Sequence, residues 1–262
     1  MTTDENPQTA QLQRPDYPHA DSVADFAANM ADVRARIDAA ALRVGRNPGD
    51  VRLLSVSKTV PQERLRLAVE AGAHELGENK VQEAKRKSEE MADLDISWAL
   101  IGHLQTNKAK DAVAFASEFH ALDRIKLAET LDRRLQAAGR SLDVYVQVNT
   151  SEEESKYGLA PEAAVPFLRE LAAFDSLKVQ GLMTLAMNTT DIDQVRRCFG
   201  TLRALRDQAR DENPDLVGPG GLSMGMSGDF VTAIEEGATV VRVGQAIFGA
   251  RALPDSYYWP AD

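Results

Sequence analysis

The hydrophobic positions of this chain follow two alternating periods from about residue 51 onward. Short apolar runs are separated by segments whose apolar residues recur with helical spacing. The short runs predict strands at 51–57, 74–79, 97–104, 118–123, 142–149, 177–185, within 220–227, and at 239–249. The intervening segments predict a helix between successive strands, and a further amphipathic helix at 21–44 precedes the first strand.

Strands that alternate with helices predict a parallel sheet. Eight such strands in about 200 residues, without a Pro/Ser-rich linker, favour one closed (β/α)8 TIM barrel with an extra N-terminal helix. An open doubly wound sheet is the alternative, although the first strand lacks the glycine-rich turn often found there. We expect residues 1–20 to form a flexible polar tail and residues 21–262 to form the single barrel domain.

Composition excludes several classes of function. The 262 residues carry a net charge of -10, so the chain is a poor non-specific partner for nucleic acid or an anionic membrane. The basic cluster within 84–91 is followed at once by acids, and we interpret it as a solvated helix face. Cys198, the single cysteine, is predicted to be a buried thiol in a helix. The polar N-terminus lacks a signal peptide's apolar centre, so we expect a cytoplasmic protein.

Mostly polar residues stand at the ends of the predicted strands, where the active site of such a barrel lies. Each one alone has an ordinary explanation as a helix cap or a turn residue. The set comprises Lys58, Asn79, His103, Asp123, Asn149, Met183, residues 223–227 and residues 242–244.

Lys58 ends the first predicted strand. Partial burial disfavours the ammonium form, and a neutral amine attacks aldehydes to form a Schiff base. An ion pair with a carboxylate at the rim of the barrel explains the position equally well.

The last two strands supply features of a phosphate site. Small residues follow strand seven, Ser227 is a candidate N-cap of the next helix, and strand eight contains Gly244, which has no side chain. A simple tight turn is the alternative. In a closed barrel strand eight lies beside strand one, so Lys58 and this turn together suggest a phosphorylated carbonyl compound. Pyridoxal 5'-phosphate (PLP) fits, and Arg242 would then keep its ring nitrogen unprotonated. For Arg242 alone, a salt bridge at the rim is the alternative.

The chain resembles the pyridoxal phosphate homeostasis protein family, the PROSC-type PLP-binding proteins. The resemblance rests on an ordered set of motifs between residues 51 and 251. They are SVSKT, ELGENKVQEA, WALIGHLQTNK, ALDR, VQVNTSEEESKYGL, GLMTL, LSMGMSGDFVTAI and VRVGQAIFGAR. Gln245 and Lys80 depart from the family pattern, which usually has Thr or Ser and an aromatic residue at these positions.

The resemblance implies a barrel like the N-terminal domain of alanine racemase. It also implies PLP bound to Lys58 as a Schiff base, and a role in intracellular PLP homeostasis and delivery without robust catalysis. By motif position, the cofactor-binding residues would be Lys58, Asn79, Met224, Gly225, Ser227, Arg242 and Gly244.

Two enzymatic hypotheses remain beside the carrier. A PLP-dependent amino-acid racemase needs a second base, and Tyr157 is the tyrosine placed to reach the barrel mouth; the second domain of alanine racemase is not expected here. A Schiff-base aldolase explains Lys58 but leaves Arg242 without a role. We expect a monomer, with PLP-dependent apoenzymes as further partners and no metal.

Overall fold

The computed structural model describes residues 17–151, 153 and 156–250. In this part of the chain eight parallel strands form a closed barrel in sequence order, and the first strand pairs with both the second and the eighth. The strands are β1 Arg52–Val56, β2 Glu75–Glu78, β3 Ser97–Leu100, β4 Glu118–Leu122, β5 Leu142–Gln147, β6 Leu177–Met183, β7 Gly221–Ser223 and β8 Val240–Val243. The closure confirms the predicted (β/α)8 barrel and excludes the open sheet.

Helices connect the strands and surround the barrel. They are α1 Val23–Arg43, α2 Gln62–Glu70, α3 Val81–Glu90, α4 Ala109–Phe115, α5 Ile125–Ala138, α6 Ala164–Leu171, α7 Ile192–Glu212, α8 Phe230–Glu235 and α9 Gln245–Phe248. None of the described helices has the length and apolar character needed to cross a bilayer. Cys198 is buried in α7, as predicted.

The extra N-terminal helix α1 is present. Its first turn is fixed by a capping box, in which the Ser22 hydroxyl accepts from the Asp25 N–H and the Asp25 carboxylate accepts from the Ser22 N–H. Its buried face packs against α8 and α9, where Phe26 meets Phe248 edge to face at 5.8 Å. Helix α1 therefore covers the barrel beside the junction of β8 and β1.

The predicted polar tail divides into two parts. Residues 1–16 lie outside the described residues. Residues 17–20 lie against the barrel: Ala20 is fully buried, and its carbonyl accepts a hydrogen bond from Arg64 on α2.

Two predicted strands are shorter in the structure. The strand predicted at 97–104 ends at Leu100, and the one predicted at 239–249 ends at Val243. At the second end the chain turns into α9 because the N–H groups of Gly244 and Ala246 donate to the Ser227 hydroxyl instead of to a neighbouring strand. An apolar run by itself does not distinguish a strand from such a short buried helix.

Candidate functional site

Closure of the barrel places the loop after β1 beside the end of β8. Leu54 pairs with Arg242 in the parallel register, and a Cβ atom added to Gly244 would lie 3.0 Å from the Val56 carbonyl oxygen. Lys58 follows two residues after Val56 and is half-buried. The structure thus brings the predicted lysine and the predicted phosphate turn to one side of the barrel mouth.

The turn after β7 is organised around Ser227. Its hydroxyl oxygen accepts hydrogen bonds from the Gly244 and Ala246 N–H groups, each at 3.3 Å. The prediction that Ser227 caps α8 is wrong, because the N-cap of that helix is Asp229. Ser227 therefore joins the turn after β7 to the first residues of α9.

Gly225 is required by the shape of this turn. Its φ of 94° lies in the region that favours glycine, and an added Cβ would lie 2.6 Å from the Ala233 Cβ and 2.9 Å from the Phe230 Cα. Its carbonyl accepts the N–H of Arg242 at 2.9 Å. The glycine keeps the turn close to both α8 and β8.

Met224 and Asn79 lie at the ends of β7 and β2. The Met224 side chain is fully buried, and its N–H donates to the Val240 carbonyl, so these groups serve the barrel wall. Asn79 is half-buried directly after β2. A Cβ on Gly102 would lie 2.3 Å from the Asn79 carbonyl oxygen, so the glycine after β3 allows this close approach.

Arg242 lies inside the barrel, with 3% of its surface exposed. Its two terminal nitrogens donate to the Ser223 hydroxyl at 2.7 Å and to the Thr184 carbonyl at 2.8 Å. Burial lowers the pKa of Arg242 to about 10, opposed by the charge of Asp229, so the guanidinium remains charged at neutral pH. These contacts differ from the rim salt bridge that the sequence left open.

A buried cluster of charges holds the loop that carries Lys58. Lys87 on α3 pairs with Glu78 at 2.7 Å and with Glu83 at 2.8 Å, and it donates to the Ser57 carbonyl at 2.9 Å. Glu83 also accepts the N–H of Thr59, whose φ is +65°. Burial raises the pKa of the Glu78 carboxyl, which the Lys87 ammonium opposes. We call Glu78, Glu83 and Lys87 the loop clamp.

The loop clamp corrects the interpretation of residues 84–91 as a solvated face. Lys87 is 1% exposed although it lies within the charged run. Its spacing from Val81 and Ala84, the other buried residues of α3, places it on the inward face of the helix.

An aromatic pair lies across the barrel mouth. The His103 ring stacks on the Tyr157 ring with their centroids 4.1 Å apart, joining the loops after β3 and β5. Burial and Arg124 lower the pKa of His103, and Asp123, 3.7 Å away, opposes them. Asn149 instead binds its own loop, where its amide donates to the Glu153 carbonyl.

Ser223 and Arg242 belong to a line of polar side chains inside the barrel, which we call the polar spine and whose other members were not predicted. It consists of Arg52, Glu118, His120, Ser223 and Arg242. A signal was present in the sequence, because the two-residue period puts Arg52 in phase with Leu54, and Glu118 in phase with His120, on the inner face.

Comparisons with known proteins agree with this architecture. The family model described as "Alanine racemase, N-terminal domain" matches residues 26–252. A protein of Aquifex aeolicus, named pyridoxal phosphate homeostasis protein, is 41% identical over 85% of this chain and 96% of its own length. A protein of the same name from Pseudomonas aeruginosa is 42% identical over 86% of this chain and 96% of its own length. The structure of PipY from Synechococcus elongatus with PLP bound is 34% identical, covers 86% of this chain and 100% of its own, and superposes with a TM-score of 0.76.

Proposed function

We propose a function from the premise that this chain belongs to the pyridoxal phosphate homeostasis protein family. The chain binds PLP as a Schiff base on Lys58 and serves intracellular PLP homeostasis and delivery without robust catalysis. The observation that carries the proposal is the pairing of β1 with β8. It puts Lys58 and Arg242 around one part of the barrel, together with the contact between Ser227 and Gly244.

The residues fit the three chemically distinct parts of PLP. The Lys58 amine matches the aldehyde, and the Ser227 hydroxyl with the close backbone at Gly225 and Gly244 suits a phosphate. Arg242 supplies a fixed positive charge for the ring nitrogen. Asn79 lies beside the Lys58 loop, because β2 pairs with β1.

Arg242 also favours storage of PLP over most PLP-dependent reactions of amino acids. When bound, PLP stabilises carbanions as an electron sink, most strongly when its ring nitrogen is protonated. The Arg242 guanidinium would donate to that nitrogen and keep it unprotonated. Binding in this site therefore holds the cofactor with weakened reactivity, which suits a carrier.

The test is absorbance spectroscopy of the purified protein with PLP. We expect a band at about 420 nm that borohydride removes, with mass spectrometry placing the reduced adduct on Lys58. Lys58→Ala should abolish the adduct, whereas Lys80→Ala, a change of an exposed lysine next to Asn79, should retain it. No adduct, or an adduct on another lysine, contradicts the assignment.

The racemase alternative rests on Tyr157, whose ring lies at the mouth against His103. Turnover of a panel of L- and D-amino acids by the PLP-loaded protein separates the two functions. We expect no stereoinversion; rapid stereoinversion that Tyr157→Phe abolishes would establish the racemase and overturn the carrier.

The proposal extends to a cytoplasmic, monomeric protein that delivers PLP to PLP-dependent apoenzymes. Support for these points comes from the sequence. Light scattering of the full chain measures the mass, for which we expect that of one 28.6 kDa chain. Transfer is tested by mixing the loaded protein with an apoenzyme and following the recovery of that enzyme's activity, compared with an equal amount of free PLP.

A further inference from the structure

The polar spine runs through the barrel interior from Arg52 to Arg242. Arg52 donates to both carboxylate oxygens of Glu118, and Glu118 Oε2 lies 2.7 Å from His120 Nε2. His120 Nδ1 lies 2.9 Å from the Ser223 hydroxyl, which lies 2.7 Å from Arg242. His120 and Ser223 are fully buried, so the contact between them is shielded from water.

The chemistry of the two ends favours one direction for the hydrogen bonds between them. A guanidinium only donates, so the Ser223 oxygen accepts from Arg242, which leaves its O–H to donate to His120 Nδ1. An ionised carboxylate only accepts, so His120 Nε2 carries the proton and donates to Glu118. With the Ser223 O–H donated to Nδ1 the ring is neutral, and burial favours that state because it lowers the pKa of His120.

We propose that Ser223 and His120 are positioning residues for Arg242. They hold its guanidinium at a fixed place and orientation facing the PLP ring, so the ring environment depends on side chains that do not touch the cofactor. This inference rests on the proposed PLP binding.

The direction of the bonds gives the positioning role a specific consequence. The His120 imidazole acts through one acceptor, Nδ1, which takes the Ser223 proton and leaves the oxygen lone pairs for Arg242. Without that acceptor the hydroxyl is free to rotate, and Arg242 keeps the Thr184 carbonyl as its other anchor. If His120 acted through packing alone, PLP binding would not depend on which of the two ring-nitrogen positions keeps a polar atom.

Two substitutions of His120 separate these possibilities. Asparagine places its side-chain oxygen near the position of Nδ1, and glutamine places its amide near Nε2. We expect His120→Asn to bind PLP within about twofold of the unsubstituted protein, and His120→Gln to bind about tenfold more weakly, because an anchor of a charged group is lost. The ring-nitrogen NMR signal of isotope-labelled PLP should shift in the glutamine variant and not in the asparagine variant.

Equal affinities and equal ring signals in the two variants would overturn the proposal. Far-ultraviolet circular dichroism establishes that both variants fold. A second measurement needs no PLP: heteronuclear NMR of the His120 ring in the unloaded protein at neutral pH should show a neutral ring with the proton on Nε2. The opposite tautomer or an imidazolium would also overturn the proposal. Failure of the unsubstituted protein to form the borohydride adduct is a different result and refutes the proposed function itself.

Discussion

At the scale of single residues, the site depends on backbone positions that exclude side chains. Gly225 has a positive φ, and Gly102 lies against the Asn79 carbonyl. Because the nearest atoms belong largely to backbone or to buried side chains, a methyl group at either glycine has nowhere to go. The Ser227 hydroxyl can reach two N–H groups of the α9 segment only while this compact backbone is kept.

Gly225→Ala should lower the free energy of unfolding by about 3 kcal/mol, combining backbone strain and overpacking. Urea unfolding followed by circular dichroism measures the change. Gly228→Ala is the control in the same turn, because an added Cβ there has no atom within 4 Å among the described residues. Equal stability of the two variants would contradict the close packing seen at Gly225.

At the scale of elements, the Lys58 loop is held by a different part of the chain. The loop clamp belongs to the end of β2 and to α3, yet it holds the backbone at Ser57 and Thr59, on both sides of the lysine. The clamp therefore makes the orientation of Lys58 depend on how α3 packs against the barrel.

Lys87→Met should lower the free energy of unfolding by about 3–5 kcal/mol, because the buried Glu78 carboxylate loses the ammonium group that pairs with it. Lys85→Met is the matched control on the same helix; it removes a more exposed pair with Asp111 and should cost no more than about 1 kcal/mol. Denaturant unfolding of both variants makes the comparison. A loss in Lys87→Met as small as in Lys85→Met would show that the buried pair contributes little.

The sequence predicted the positions of the helices and strands better than it predicted which of their side chains point into the protein. A helix lies between successive strands as predicted, and α5 ends at Ala138 with the left-handed Gly139 as its C-cap, because glycine and helical periodicity are local signals. Lys87 was misassigned because a charged run was treated as a unit, although each residue of a helix faces its own direction. The spine contacts between β4, β7 and β8 were also out of reach, since they join residues as far apart as His120 and Ser223.

At the scale of the whole molecule, the barrel interior contains charges in place of a purely apolar core. Glu118 is 14% exposed, and burial by itself would raise the pKa of its carboxyl. Hydrogen bonds from Arg52 and His120 outweigh burial and lower that pKa to about 2. The stability of the fold is thereby linked to pH through a carboxylate at the start of β4.

Stability should therefore fall in acid. The folded-state pKa of Glu118 lies below its ordinary value of 4.5, so its contribution is present above pH 4.5 and is lost as the pH falls towards 2. The amount at neutral pH is about 3 kcal/mol. His120, whose pKa is also lowered, begins the decline as the pH falls through 6.5.

Urea midpoints of the unsubstituted protein and of Glu118→Gln, measured between pH 7 and pH 3, test this linkage. The Gln variant should start less stable and lose less below pH 4.5, since it has no carboxylate to protonate. Parallel curves for the two proteins would refute the linkage to Glu118.

The ends of the described chain have a topological consequence. Gly249 lies against His19, and Arg64 donates to the carbonyls of both Ala20 and Phe248. The strands form a closed ring, and the segments before α1 and after α9 meet at this contact. A circular permutation, with a linker across this contact and new ends in another βα loop, would preserve every strand pairing. The order of the strands along the chain is therefore not required by the closed barrel.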